Sequence, residues 1–422
     1  MTLDRKQFLV RSGLALTATA GLASLDDVPV GEARDASLRD WAAVRRQFRL
    51  ERDLVHLGAF LLASHPAPVR AAIEHHRRRL DANPVDYLHE HWAANEAAVL
   101  RAAATYLATS STDIALTDST TMGLSLLYAG LDVRAGQELL TTTHDFFVTH
   151  EALRTKASRS GATLRQVLLY DRPQDADADQ IVERLAGAVT PRTRVVAVTW
   201  VHSSTGVKLP IRRIADAIAP LNAGRDERDR LLLCVDGVHG FGVENETMDS
   251  LGCDFFAAGC HKWLFGPRGT GFVWGKSSAW PTASPTIPSF TGTATPGEAN
   301  SPGGFHSFEH RWALGEAFIF HLRIGKARIA NRIHRLNREL KAGLAAMPHV
   351  TLYTPRSDKL SAGLVCFAVD GMSPDTVVRR LRERRIVATV TPYSPSYARV
   401  APSILNTPGE IRRALDAINA LR

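Results

Sequence analysis

Between about residues 111 and 275 the chain alternates short apolar runs rich in β-branched residues with stretches of helical periodicity, and this alternation leaves few folds open. Strands separated by helix-length connections pair in parallel, and a parallel sheet needs helices to cover its faces. Seven runs have strand character: 113–117, 138–143, 163–169, 194–201, 231–236, 254–258 and 270–274. The expectation is an α/β fold built on a seven-stranded, mainly parallel sheet. In such a sheet the ligand crevice lies beyond the carboxyl ends of the strands, so the polar residues just after each run carry the functional information.

Beyond the sheet, 283–304 is rich in Pro, Gly, Ser and Thr and reads as a crossing loop. One long helix is expected over about 311–345. Two strands, 363–369 and 385–390, flank a helix opened by Ser373-Pro374, and a terminal helix starts near Pro408, together a smaller C-terminal α/β domain. The expected organisation is a signal-like stretch at 1–25, an N-terminal segment at 26–65, a large domain at 66–295, and the crossing loop, long helix and small domain at 296–422.

At the amino end, Asp4-Arg5-Lys6-Gln7-Phe8-Leu9 precedes a weakly polar stretch with Ala18-Thr19-Ala20. It resembles a twin-arginine export signal with Lys6 in place of the second arginine, the alternative being a plain N-terminal helix. Both a cytoplasmic and an exported location stay open. No other segment approaches the roughly 20 apolar residues of a membrane span.

The 422 residues are 45% hydrophobic, enough for a large core, and carry a formal charge of +8. The basic residues are dispersed. Their densest run, Arg323, Lys326, Arg328, Arg332, Arg335, Arg338 and Lys341, has the spacing of one helix with a solvated face, so neither nucleic acid nor membrane is expected as a partner. Cys234, Cys253, Cys260 and Cys366 lie in apolar or glycine-rich segments without a C-x-x-C pair, which reads as buried free thiols. His89 and His91 lack a third ligand at a recognisable spacing, and no metal is expected.

Three motifs carry chemistry. The first runs from Phe255 through Gly259-Cys260-His261-Lys262-Trp263 to Gly271, a lysine after an apolar strand followed by a glycine-rich turn. An amine in such a partly desolvated place has a lowered pKa and attacks an aldehyde, and the backbone N–H groups of the turn suit a phosphate. In the second, the apolar strand Leu231-Leu232-Leu233-Cys234-Val235 delivers Asp236, with His239 three residues on. In the third, Thr117-Asp118-Ser119-Thr120-Thr121 ends a strand and opens a helix, whose free N–H groups and dipole make an anion site. Read alone, Asp236 is a turn residue and Ser119 an N-cap.

In order and spacing these motifs resemble the class V aminotransferases, and within them the isopenicillin N epimerase-like branch, over nearly the whole chain from about residue 55. The resemblance implies the PLP-dependent transferase (aspartate aminotransferase) fold and pyridoxal 5′-phosphate (PLP) as cofactor. It implies Lys262 as the Schiff-base lysine, Asp236 as the partner of the pyridine nitrogen, a role that keeps the ring an electron sink, and His239 beside the phenolic oxygen. It places Ser119, Thr120, Thr121 and His261 around the phosphate and Phe146 of Thr143-His144-Asp145-Phe146-Phe147 against the ring. Ser203 stands where relatives often carry an asparagine near the phenolic oxygen. Arg399 matches an arginine that clamps the substrate carboxylate, chemistry to which a bidentate guanidinium is suited. Gly303-Gly304-Phe305-His306-Ser307 resembles a segment that the partner subunit of a homodimer inserts toward the phosphate, with Ser307 the contact. Gly259 departs from relatives that offer a serine there.

The implied reaction is Schiff-base (aldimine) chemistry at the Cα of an amino-acid substrate, with isopenicillin N epimerase-like activity foremost. Aminotransfer, C–S lysis and oxidative deamination are alternatives on the same fold, and a non-catalytic PLP-binding sensor is the alternative of a different class. Desulfuration is disfavoured because 387–402 contains no cysteine.

Overall fold

The computed structural model describes residues 38–290, 292 and 294–421, so the signal-like residues 1–25 lie outside the described residues. After a short strand, β1 (Val55–His56), come β2 (Ile114–Thr117), β3 (Glu138–Thr142), β4 (Thr163–Val167), β5 (Thr193–Thr199), β6 (Leu232–Asp236), β7 (Phe255–Gly259) and β8 (Gly271–Gly275). The last seven form one sheet in the order β2-β8-β7-β6-β5-β3-β4. All seven expected strands are present.

Neighbours pair in parallel except β8, which runs antiparallel to both β2 and β7. The connection from β7 to β8 is a tight glycine-rich turn without a helix, too short for the crossover that a parallel return requires. Both faces of the sheet are covered. Along β5, Val196 and Val198 join one apolar cluster and Val195 and Ala197 the other. Leu233 and Val235 of β6 divide from Leu232 and Cys234 in the same way. That two-sided burial is why these strands read as continuous apolar runs rather than alternating ones.

The C-terminal part adds β9 (Val350–Leu352), β10 (Val365–Val369), β11 (Ile386–Val387), β12 (Thr389–Val390) and β13 (Ala398–Val400). Four of them make an antiparallel sheet in the order β12-β13-β10-β9, and β11 pairs in parallel with β1. A third apolar cluster packs this sheet against Leu336, Leu340 and Leu344, Val377 and Leu381, and Ile411, Ala414 and Ile418 of three helices. The expected strand 385–390 is divided at Ala388 between two sheets, while β9 and β13, at three residues each, are too short to show a period.

Two expectations need correction. The single helix over 311–345 is two helices, Phe308–Ile324 and Lys326–Ala345, broken at Gly325, whose φ of 95° is open to a residue without a Cβ. Helical spacing of the apolar residues continues on both sides, so the break leaves no mark on periodicity.

The basic run is not one solvated face either. Lys341 is buried and donates to the carbonyls of Pro355 (3.2 Å) and Arg356 (2.9 Å) and to Ser361 Oγ (2.6 Å). Arg332 is buried and donates to the carbonyl of Asn406, and Lys326 to those of Tyr106 and Glu246. These cations tie helices to loops. Among the described residues no helix is long and apolar enough to cross a membrane.

The turn after β6 runs against the sheet so closely that a Cβ on Gly237 would lie 1.8 Å from Phe256 Cζ. Gly237→Ala is therefore expected to destabilise the protein by about 1–3 kcal/mol or more through overpacking, read as a lower midpoint in chemical denaturation.

Candidate active site

At the carboxyl ends of the central strands lies a crevice of about 250 Å³. Ser119, Thr120, Thr121, Phe146, Ser203, Asp236, His239, His261, Lys262 and Arg399 all line it. Residues remote in sequence thus converge because parallel strands end on the same side. In register, Thr199 of β5 faces Asp236 of β6, and Asp236 faces Ala257 of β7.

Asp236 ends β6, and its Oδ1 accepts a hydrogen bond from the Val238 N–H at 3.1 Å, while Oδ2 accepts none among the described residues. Burial raises the carboxyl pKa to about 6, against the Val238 hydrogen bond and Lys262, which both lower it. Lys262 follows β7 by three residues. Burial brings its amine down to about 8, with Asp236 pulling upward and Arg399 pushing further down.

His239 Nδ1 accepts from the Trp263 indole N–H at 3.3 Å, which puts the imidazole proton on Nε2, 3.5 Å from Lys262 Nζ. Burial, with Lys262 and Arg399 nearby, keeps this histidine well below its ordinary pKa and hence neutral.

The opposite end of the crevice is built for an anion. Ser119 caps helix Thr120–Gly130 through its hydroxyl, which accepts the Met122 N–H at 3.1 Å. The N–H groups of Thr120 and Thr121 in the first turn have no intrahelical acceptor. Thr120 Oγ1 accepts the Gly259 N–H at 2.7 Å, and His261 Nδ1 is buried without a partner among the described residues. A Cβ on Gly259 would come within 2.9 Å of His261 Cε1 and 3.1 Å of Thr120 Oγ1. A serine there would have to displace the His261 ring, and the Thr120 hydroxyl lies against the same position. Free N–H groups, three hydroxyls and an orphaned ring nitrogen fit a phosphate, and a buried carboxylate with one free oxygen fits a pyridinium.

The four-stranded C-terminal sheet contributes the remaining wall. Arg399 of β13 is buried, donates through Nη1 to the Ser203 carbonyl (2.9 Å) and through Nε to Thr389 Oγ1 (3.1 Å), and lies 4.6 Å from the Phe60 ring centre. Ser203 Oγ lies 2.6 Å from the Tyr393 hydroxyl. His202 is structural, with Nδ1 bonded to the Tyr170 hydroxyl.

Sequence reasoning missed Phe60, which braces Arg399, His239 and Trp263 at once, and Tyr393. Both lie in segments without regular periodicity, and only their aromatic character beside Gly and Pro marks them. Ser307 is not brought into the crevice of the single chain; it lies beside Asp118, Gly269 and His306 in a neighbouring hollow. All four cysteines are buried and none lines the crevice, with burial pushing Cys366 up to about 12.

The model of the aminotransferase class-V family matches residues 63–415. The isopenicillin N epimerase of Streptomyces clavuligerus is 27% identical over 410 residues, 91% of this chain and 99% of that protein. A cysteine desulfurase of Klebsiella pneumoniae is 27% identical over 337 residues, 74% of this chain and 77% of its own. In fold the chain is similar to a C-DES mutant with glycine covalently linked to the PLP cofactor, with a TM-score of 0.81, 23% identity and coverage of 89% of this chain and 99% of that one. It is likewise similar to the apo cysteine desulfurase of Thermococcus onnurineus NA1, with a TM-score of 0.79, 20% identity and coverage of 90% and 97%.

The electrostatics of Lys262 give a direct test. In cofactor-free protein, labelling of Lys262 by an amine-selective reagent should rise with pH about a midpoint near 8. In Asp236→Asn that midpoint should move lower, because the carboxylate that favours the ammonium form is gone. The folded chain binds fewer protons at Lys262 than the unfolded one, so this lysine makes stability rise with pH between about 8 and the ordinary lysine value.

Proposed function

The chain belongs to the aminotransferase class-V family and is a pyridoxal-phosphate-dependent enzyme, and from that premise we propose that it moves a proton at the Cα of an amino-acid substrate in an epimerase-like reaction. The observation that carries the reading is a lysine amine with a pKa near 8, facing a buried carboxylate, in a crevice that also holds a buried arginine. Similarity to two isopenicillin N epimerases over 90% or more of the chain supports it, as does a crevice without a cysteine.

When bound, the cofactor supplies an electron sink for the pair left at Cα. Each residue then has a distinct part. Ser119, Thr120, Thr121 and His261 hold the phosphate at the helix N-terminus, and Phe146 and Val238 line the space for the ring. Asp236 would pair with the pyridine nitrogen, and a cation there would favour its ionised form. His239, neutral and with its proton on Nε2, would donate to the phenolic oxygen, with Ser203 on the same side of the crevice. Arg399, already fixed by Ser203 and Thr389, takes the substrate carboxylate. Lys262 removes the Cα proton as a free amine, a form that burial makes more accessible by lowering its pKa from the ordinary lysine value to about 8.

Ser307 belongs in this account to a homodimer, reaching the phosphate of the partner subunit. The exposed Phe305, Phe290 and Ile287 near it give a second copy apolar surface to cover.

In D2O, the wild-type holoenzyme is expected to exchange the α-hydrogen of particular members of a panel of L- and D-amino acids, followed by NMR. Lys262→Ala should lower that exchange by roughly 10²–10⁴-fold, the usual worth of a positioned acid–base group. Arg399→Ala should keep the cofactor and raise KM about 10-fold or more, as for loss of a charged hydrogen bond. Exchange unchanged in the lysine variant contradicts the assignment.

A further inference from the structure

We infer that Ser203 and Tyr393 form a second proton-handling group at the substrate Cα, separate from Lys262. The inference rests on the epimerase-like reading and deepens it. Inverting a stereocentre takes a proton from one face and returns one to the other, and a lysine held on one face explains only one of the two transfers.

The geometry converges on one place. Arg399 Nη1 is bonded to the Ser203 carbonyl at 2.9 Å, so a carboxylate held by Arg399 rests beside Ser203. Cα is one bond from that carboxyl carbon. Ser203 lines the crevice, and its hydroxyl lies 2.6 Å from the Tyr393 hydroxyl, the only partner recorded for that phenol among the described residues.

Tyr393 and Arg399 come from the same hairpin, between β12 and β13, whose loop is closed by Thr391 N–H to the Tyr397 carbonyl (2.9 Å) and Ser396 Oγ to the Thr391 carbonyl (2.7 Å). The Tyr393 ring meets the edge of Phe146, with centroids 5.9 Å apart, whereas Lys262 reaches in beside His239. The two proton-handling groups thus have different immediate neighbours in the crevice, Phe146 for Tyr393 and His239 for Lys262. Burial pushes the Tyr393 phenol above its ordinary pKa, so the phenol is protonated and its proton is present for Ser203 to take.

The step balances without an oxidant or reductant. Lys262 takes the Cα proton and the electron pair of the broken C–H bond stays with the substrate. The Ser203 hydroxyl gives its proton to that pair, forming the new C–H bond, and takes the Tyr393 proton through the short hydrogen bond between them. Lysine ammonium and phenolate are left, and both reset by exchange with solvent at the crevice mouth. Ser203 touches the substrate; Tyr393 acts through it and is a positioning residue.

The test uses wild-type, Tyr393→Phe and Ser203→Ala holoenzymes in D2O with an amino acid active in the panel. Deuterium is measured separately in recovered substrate and in its antipode by chiral separation and mass spectrometry. Binding of the 2-methyl analogue, which has no α-hydrogen, is followed by the cofactor's absorbance. In both variants antipode formation is expected to fall about 10²-fold or more, while in Tyr393→Phe Lys262-dependent exchange with retention and binding of the 2-methyl analogue stay near wild type. If in Tyr393→Phe antipode formation and exchange with retention fall together, if analogue binding weakens alongside, or if antipode formation is unchanged in either variant, the pair is only a latch between the two sheets and the proposal is overturned. A wild-type enzyme that yields no antipode from any amino acid overturns the epimerase-like reading itself, and the role of the pair with it.

Discussion

The site depends on an amine and a carboxylate taken out of water together. Asp236 and Lys262 sit at the same end of adjacent parallel strands, where burial pushes their pKa values toward each other, to about 6 and about 8. Each opposes the other's shift, so neither is forced wholly neutral. The lysine thus keeps a usable fraction of free amine near neutral pH while staying beside an anion that holds it in place. Glycines at 237, 259 and 271 allow the turns carrying these groups to pack against Phe256, His261 and Ser119.

Around this pair the labour is divided between two layers. The large sheet supplies the lysine, the carboxylate and the helix N-terminus, all at strand ends. The small sheet supplies Arg399 and Tyr393 from one hairpin, and Ser203 receives both, through its carbonyl and its hydroxyl. Buried cations fix how the small domain sits: Lys341 holds the 355–361 loop, and Arg332 holds the carbonyl of Asn406, whose side chain in turn bonds the His56 carbonyl. Replacing such a cation would leave several carbonyls without donors and loosen the wall that carries Arg399.

What was legible in the sequence follows from this division. Strand-end residues such as Asp236 and Lys262 stand out because an apolar run announces the strand and the next polar residue must emerge at its end. Ser119 and Thr120 were legible for a similar reason, as hydroxyls between a strand and a helix. Gly325 was hidden because helical spacing of apolar residues continues across the break. The burial of Arg332 and Lys341 was hidden because a cation that binds carbonyls has the same helical spacing as one in water. Phe60 and Tyr393 were missed because their roles exist only once remote segments meet, Phe60 against Arg399 and His239, Tyr393 against Ser203.

The central claim is that Lys262, and no other lysine, holds the cofactor. Borohydride reduction of the wild-type holoenzyme, followed by proteolysis and mass spectrometry, tests it most directly. A stable pyridoxyl adduct is expected on the peptide that contains Lys262, and none in Lys262→Ala. An adduct on Lys208, Lys326 or Lys341, or an equal adduct in the variant, would contradict it.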